Sequence, residues 1–228
     1  MSTTIARSSP AAPAAPLRVV VSNGKPMTVE EFAQWVQRPE NADRFFELKR
    51  GKVIEMPPPI PWHGFLTAQV AHILRLYADV SGVGFVLSND AGVVVEQNPD
   101  TVRGPDVSYF TESFADDAQF ESFLRKYLTT PPVVAVEVLS PSDRVNRIAA
   151  KVEEYLAFGV RQVWVVDPET KDVAVHRPGK SLTLLEGDAE LHGGDDLPGF
   201  SCRVSDFFRL PGQKPTEQKP TEQKPTEQ

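Results

Sequence analysis

PPVVAVEVLSPS, residues 131–142, contains a run from Val133 to Leu139 in which Glu137 is the only polar residue. A strand that is apolar on both faces is typical of the buried centre of a β-sheet. A carboxylate in such a strand is costly unless a metal ion, a cation or hydrogen bonds compensate it. Glu137 is therefore the first candidate for a functional residue, and the strand that carries it is predicted to be central.

The segments that follow this strand predict a strand–helix–strand unit. A helix is expected from about Arg144 to Phe158, with Ser142 or Asp143 as its N-cap, and RQVWVVD (161–167) is predicted to be the next strand. Two strands joined through a helix pair in parallel. Most other neighbouring strands are joined by short turns, as around Arg50-Gly51. We therefore predict an α/β fold with a mixed β-sheet flanked by helices.

Composition divides the chain into one folded unit and two flexible ends. Residues 1–25 are rich in Ala and Pro, and the tail, 211–228, contains KPTEQ three times, so both are predicted to be disordered. Residues 26–210 are long enough for one domain with a full core. The single cysteine, Cys202, excludes an intrachain disulfide. No apolar run approaches the roughly 18 residues of a membrane span. A cytoplasmic protein without a membrane partner is expected.

The charge of the chain counts against a protein that binds nucleic acid constitutively. The chain carries −7 at pH 7; residues 1–25 hold three basic residues and no acid, and residues 213–228 are neutral, so the part between them carries −10. Affinity for nucleic acid depends strongly on basic residues that neutralise phosphates. The charge does not exclude a nuclease whose basic residues form a local rim around the site. Such a nuclease would bind DNA with a steep salt dependence. The candidates for that rim are Lys49, Arg50, Arg103, Arg144 and Arg147.

Asp106 is the acid that would join Glu137. It follows Pro105 at the start of the strand in GPDVSYF. Its alternative role is to cap main-chain amides of its own turn. Glu137 also has a purely structural alternative, an ion pair with an arginine.

Lys151 is the candidate cation. It shares helical spacing with Ile148, Val152 and Tyr155, so it borders the face that packs on the sheet. Its alternative role is to cover apolar surface with its stem and keep its amine in water. This helix directly follows the Glu137 strand. If Lys151 has a functional role, we therefore expect its amine to point back towards Glu137.

Glu47 and His63 are two further candidates. Glu47 lies in the half-buried strand pattern FFELKRG, where it either joins the site or pairs with Lys49, Arg50 or Lys52. His63 precedes a predicted helix, where a neutral imidazole can cap the helix or line a cleft, and a packing or capping role is favoured over a catalytic one. The other histidines show no metal-ligand spacing, which counts against a zinc site. Carboxylates without histidine or thiolate partners suit Mg²⁺ or Mn²⁺.

Six segments occur in an order that resembles a known group of nucleases. They are FFELKRGKVIEMPPP, WHG, RGPDVSYF, VAVEVLSPSD, KVEEYLAFGVRQVWVVDPE and FSCRVSDFF, and together they span about 44–208. Asp106 after Pro105, with Glu137 on an apolar strand 31 residues later, resembles the PD-(D/E)XK nuclease superfamily. More narrowly, the six segments resemble the bacterial family of "putative restriction endonucleases".

The resemblance implies a restriction-endonuclease-like fold, metal-dependent hydrolysis of DNA phosphodiesters and a homodimer. It implies that Asp106 and Glu137 hold Mg²⁺ or Mn²⁺ and that Glu47 completes the site. The superfamily's usual lysine lies two residues after the strand acid, and Leu139 occupies that position in this sequence. In the narrower family a helix lysine that matches Lys151 takes over its role.

Two classes of function other than an endonuclease stay open. One is a catalytically silent nucleic-acid-binding or regulatory protein on the same fold, which the acidic charge and Leu139 favour. The other is a structural or interaction domain with a buried ion-pair cluster. The joint presence of Asp106, Glu137 and Lys151 favours the nuclease. A metal-dependent DNA endonuclease is therefore our prediction.

Overall fold

A computed structural model describes residues 18–21, 24–140, 143 and 145–213. The first 17 residues and the KPTEQ repeats, both predicted to be disordered, lie outside the described residues. The helices are α1 (Val29–Val36), α2 (Pro61–Ser81), α3 (Asp117–Leu124), α4 (Val145–Phe158) and α5 (Val204–Phe207), with a short 3-10 helix at Pro39–Asn41. The strands are β1 (Arg18–Val21), β2 (Phe45–Lys49), β3 (Lys52–Met56), β4 (Phe85–Ser88), β5 (Val93–Glu96), β6 (Thr101–Arg103), β7 (Val107–Phe110), β8 (Val134–Val138), β9 (Gln162–Asp167), β10 (Asp172–His176), β11 (Thr183–Glu186), β12 (Glu190–His192) and β13 (Ser201–Arg203).

The described strands form two main sheets and a small hairpin. The five-stranded sheet has the order β1-β3-β2-β6-β5, the six-stranded sheet has the order β11-β10-β9-β8-β7-β4, and β12 pairs with β13. Strands β8 and β9 are parallel, as predicted, and their other neighbours in the sheet are antiparallel. The predicted α/β class with mixed strands flanked by helices is confirmed, and its strands are divided between two sheets.

Strand β8, which carries Glu137, lies inside the six-stranded sheet with all five of its residues buried. Val136, on one face, packs in a core cluster that includes residues of α2. Ala135, on the other face, packs with Val152 and Tyr155 of α4. Because alternate residues of a strand share a face, Glu137 lies on the α4 side of the sheet. Glu137 thus faces the helix that directly follows its strand in the sequence.

The sharp turn of the β2–β3 hairpin depends on Gly51. Arg50 and Gly51 both have positive φ values, 48° and 70°, as a tight two-residue hairpin turn requires. A Cβ atom on Gly51 would lie 2.3 Å from the Cβ atom of Pro26. Glycine is therefore needed both for the conformation of the turn and for the space beside it.

The segment RGPD joins the two main sheets. Strand β6 ends at Arg103 in the five-stranded sheet, and β7 begins at Val107 in the six-stranded sheet. Between them, a Cβ atom on Gly104 would lie 2.7 Å from the main-chain oxygen of Asp90. A side chain larger than glycine would collide with this oxygen. The connection places Arg103, the last residue of β6, three residues before Asp106, which directly precedes β7.

The structure differs from the sequence-based boundaries at the N-terminal end. Residues 18–21, expected to belong to a flexible arm, form β1 and pair with the edge of β3. The short segment RVVV, which contains three valines, was concealed by the Ala/Pro-rich composition of the segment before it. Strands β6, β12 and β13 were also not predicted, because three residues are too few to reveal an alternating pattern. No helix in the described part of the chain is long and apolar enough to cross a membrane.

Replacing Gly51 by Ala should destabilise the protein more than the same change at Gly82, the residue that ends α2. Both glycines have positive φ values, 70° and 67°, so both substitutions carry a backbone cost of about 1 kcal/mol. Only the new Cβ at position 51 collides with Pro26, which adds about 1–3 kcal/mol. Urea unfolding of the two variants measures this difference. Equal losses would show that Pro26 moves away at no cost.

Candidate active site

The ammonium group of Lys151 lies between two carboxylates that belong to different sheets. Its Nζ donates a hydrogen bond of 2.8 Å to Glu137 Oε2 and lies 3.0 Å from Glu47 Oε1. Glu137 belongs to β8 and Glu47 to β2, so this residue of α4 connects both main sheets. The three residues are only 4–6% exposed. The alternative that Lys151 keeps its amine in water is therefore wrong.

Arg103 holds the second oxygen of Glu47. Its Nη1 donates to Glu47 Oε2 at 2.6 Å, while its Nε and Nη2 donate to the two oxygens of Glu154 at 2.6 and 3.0 Å. Such bidentate pairs fix both partners in orientation as well as in distance. Glu47 thus accepts from two cations, Lys151 and Arg103. These contacts replace the expected alternative, a pairing of Glu47 with the neighbouring residues Lys49, Arg50 or Lys52.

Helix α4 holds both oxygens of Glu137. The hydroxyl of Tyr155 donates to Glu137 Oε1 at 2.7 Å, and Lys151, one turn earlier on the same helix, donates to Oε2. The partner of Glu137 is therefore a lysine, where the structural alternative expected an arginine. Leu139 packs against the apolar cluster between the sheet and α4. An amine thus approaches the strand acid from α4, while position 139 serves the core.

Asp106 connects the start of β7 with the end of β8 and with α2. Its Oδ2 accepts the main-chain N–H of Val138 at 2.6 Å, and its Oδ1 lies 3.2 Å from Nε2 of His63. Val138 is 32 residues away in the sequence, so Asp106 does not simply cap its own turn. His63 lies in the first turn of α2, and its contact is with an acid of the site. The expectation of a packing or capping role for His63 missed this contact.

A cavity of about 520 Å³ is lined by all four residues that the sequence predicted to be catalytic: Glu47, Asp106, Glu137 and Lys151. His63 and Asp90 line it as well. The structure thus brings the four predicted catalytic residues together. Their catalytic and metal-binding roles stay predictions.

Five carboxylates and four Lys or Arg side chains occur among the described residues that line the cavity, and both burial and these charges shift the pKa values there. Burial raises the pKa of Glu137 to about 7, and repulsion from Asp106 and Glu47 adds to the rise while Lys151 opposes it. Burial alone would also raise the pKa of Glu47, but Lys151 and Arg103 hold that pKa below its usual range. Burial alone would lower the pKa of Lys151. The carboxylates Glu137 and Glu47 nevertheless raise it, so the amine stays charged.

Asp90, between β4 and β5, is affected by the same surplus. The residue lines the cavity and is partly open to solvent. Desolvation of its carboxyl group and repulsion from Asp106 still raise its pKa to about 6. A cation that entered the cavity would relieve the repulsion at both Glu137 and Asp90.

The donor set suits a hard cation that brings some of its own ligands. Within the described ranges, no group of three or more His, Cys, Asp or Glu side chains is arranged to hold a metal ion. Mg²⁺ commonly keeps several waters and is bound through one or two carboxylates together with substrate phosphates. Asp106 and Glu137, two carboxylates in a cavity with surplus negative charge, fit that mode of binding.

The expected basic rim is not formed as predicted. Arg103 is 3% exposed and is held between two carboxylates. Lys49 and Arg50 are not among the described residues that line the cavity, and Arg50 is paired with Glu96. Arg147 is paired with Asp143. Arg144 and the possible N-cap Ser142 lie outside the described residues.

Three residues of the site were not identified from the sequence in their actual roles. Arg103 was assigned to a solvent-facing rim, Tyr155 to the apolar stripe of its helix, and Glu154 was not singled out. The spacing of Tyr155 four residues after Lys151 was a usable signal, because such residues share a helix face. The partners of Arg103 lie 51 and 56 residues away from it, so no local sequence pattern could have predicted these contacts.

The fold and the site define a restriction-endonuclease-like protein of the PD-(D/E)XK superfamily. The chain belongs to the Uma2 family, described as "Putative restriction endonuclease", whose pattern matches residues 29–205. It is similar to a solved structure, a "putative nuclease belonging to DUF820" from Anabaena variabilis ATCC 29413. The two chains are 19% identical with a TM-score of 0.65 over 80% of this chain and 98% of the other. A search of curated proteins found no match. The predicted resemblance is confirmed, and it supports a nuclease-like function.

Replacing Glu137 by Gln should stabilise the metal-free protein at pH 8, whereas replacing Glu47 by Gln should destabilise it. The pKa of Glu137 rises on folding from 4.5 to about 7, so its contribution to stability falls as the pH rises through that window. The pKa of Glu47 is lowered on folding, so Glu47 contributes stability above its unfolded pKa that is lost at lower pH.

Urea unfolding at pH 8 should show changes of about 1–3 kcal/mol in opposite directions for these two variants. At pH 5 the gain from Glu137→Gln should shrink towards zero. A similar loss of stability for both variants at pH 8 would contradict the proposed difference between the two carboxylates that share Lys151.

Proposed function

We propose that this protein is a metal-dependent endonuclease that hydrolyses phosphodiester bonds of DNA, with Mg²⁺ or Mn²⁺ as its cofactor. The observation that supports this most is the presence of Asp106, Glu137, Lys151 and Glu47 in one cavity. Membership of the Uma2 family adds support for nuclease chemistry. By the same family analogy we expect a homodimer.

Asp106 and Glu137 are the residues that would hold the metal ion. When bound, such an ion polarises a phosphodiester and lowers the pKa of a coordinated water. The protein fixes both carboxylates in advance: Val138 N–H and His63 hold Asp106, and α4 holds Glu137. Partners of this kind orient metal ligands and tune their affinity.

Lys151 is the cation that would neutralise charge developing on the phosphate. Its ammonium group is bonded to Glu47 as well as Glu137, so one carboxylate continues to hold it when the other takes a metal ion. A fixed charge in a partly desolvated cavity stabilises a transition state more than a mobile charge in water. Glu47 and Arg103 act as positioning residues for this amine.

A catalytically silent nucleic-acid-binding protein is the alternative, and two observations favour it. Leu139 occupies the usual lysine position, and residues 26–212 are strongly acidic. Such a protein would bind nucleic acid without cleaving it. A cleavage assay therefore separates the two functions directly.

Lys151→Met should cut DNA about 10²–10³-fold more slowly than the wild type in Mg²⁺ or Mn²⁺, while still binding Mn²⁺. Methionine keeps the apolar stem and removes only the charge. Asp106→Asn should be inactive, and Lys126→Met, at an exposed lysine after α3, should match the wild type. Gel assays on plasmid and oligonucleotide DNA give the rates. Wild-type rates in Lys151→Met would remove Lys151 from the mechanism, and an inert wild type would favour the silent protein.

The double variant Leu139→Lys, Lys151→Met extends the same test. Residue 139 shares a face with Glu137, so it can present an amine to the same carboxylate. We expect part of the lost activity to return. A folded double variant that is no faster than Lys151→Met would show that the two positions are not equivalent.

A further inference from the structure

We infer that the substrate is single-stranded DNA, whose bases stack on an apolar wall beside the candidate active site. This inference rests on the proposed function. The wall consists of exposed or half-buried residues that line the same cavity as the acids: Phe45, Met56, Pro57, Pro58, Pro59 and Ile60.

The wall is continuous with the site along the chain. Phe45 and Glu47 are alternate residues of β2, so they lie on one face about 7 Å apart along the strand. Phe45 lies opposite Met56 in the β2–β3 pairing. The chain then continues through the three prolines to Ile60 and into α2, where His63 lines the cavity. A nucleotide whose phosphate reached the acids would therefore have its base or sugar beside this wall.

The exposure of the wall contrasts with the burial of the acids. Phe45 is 38% exposed and Ile60 46%, whereas Asp106 and Glu137 are 7% and 4% exposed. Exposed apolar residues grouped in a cavity that also contains polar groups mark a surface that contacts a ligand. An aromatic ring suits bases of any sequence, because every base has a π-face on which it can stack.

The charges in the cavity argue against a duplex. All four Lys and Arg side chains among its described lining residues are already paired: Arg44 with Glu55, Arg103 with Glu47 and Glu154, Arg147 with Asp143, and Lys151 with Glu47 and Glu137. Affinity for duplex DNA depends on several cations that are available to neutralise phosphates. This cavity offers instead the surplus of carboxylates that would take a metal ion.

Affinity must then come from one phosphate that the metal ion bridges to the protein and from stacking of the bases. The bases of a duplex already stack on both neighbours, so they cannot also stack on the wall. A single strand can turn its bases outwards onto aromatic side chains. The wall and the paired cations therefore favour the same substrate.

The test compares cleavage of one labelled DNA oligonucleotide, alone and annealed to its complement, in Mn²⁺. The single strand should be cut at least about tenfold faster than the duplex. Phe45→Ala should raise KM for the single strand by at least about fivefold, with kcat changed less than about twofold, because stacking binds substrate away from the reacting phosphate. Phe45→Tyr keeps the ring and should behave as the wild type. Leu184→Ala, an exposed apolar residue of β11 outside the cavity, is the matched control.

Salt dependence gives an independent readout. If one phosphate is neutralised, KM for the single strand should rise only about threefold between about 50 and 200 mM salt. A rise of about 10³-fold would indicate many phosphate contacts and would overturn the inference.

The remaining outcomes separate the inference from the function on which it rests. A duplex cut as fast as the single strand, or faster, overturns the inference and leaves the endonuclease intact. A preference for the single strand that Phe45→Ala leaves unchanged overturns the role of the wall. A wild type that cuts neither substrate in Mn²⁺ or Mg²⁺ overturns the proposed function itself.

Discussion

The buried ammonium group of Lys151, bonded to Glu137 and Glu47, is the contact on which the rest of the site depends. It connects α4 to both main sheets, because its two carboxylates come from β8 and β2. Burial makes each of these charges costly by itself, so each requires its partners. Arg103 completes the set by holding the second oxygen of Glu47. Burial raises the pKa of Glu137 despite Lys151, and repulsion from Asp106 and Glu47 adds to that rise.

The position of the lysine follows from how the fold distributes its apolar residues. Residue 139, where the superfamily usually carries an amine, packs here against the cluster beneath α4. Helix α4 returns over the same face of the sheet and carries Lys151 and Tyr155 one turn apart, so it can supply both partners of Glu137. The amine that contacts the strand acid therefore comes from α4 and not from position 139.

Local patterns in the sequence predicted those parts of the site that depend on local structure. The apolar run around Glu137 predicted a buried central strand, and helical spacing predicted the side of α4 on which Lys151 lies. The burial of Arg103 could not be predicted, because its partners Glu47 and Glu154 lie far from it in the sequence. The contact between His63 and Asp106 likewise joins α2 to the entry of β7, and only the packing of those elements creates it. Strand β1 was missed because four apolar-patterned residues lie beside a long stretch rich in Ala and Pro.

We expect a divalent cation to bind at Asp106 and Glu137, in a cavity where carboxylates outnumber Lys and Arg side chains. Calorimetric titration of the metal-free protein with Mn²⁺ tests this expectation most directly. Stoichiometric binding should be lost in Asp106→Asn and retained in Glu186→Gln, a matched loss of one carboxylate on the exposed edge strand β11. Absence of binding in the wild type, or equal binding in Asp106→Asn, would instead identify the cluster as purely structural.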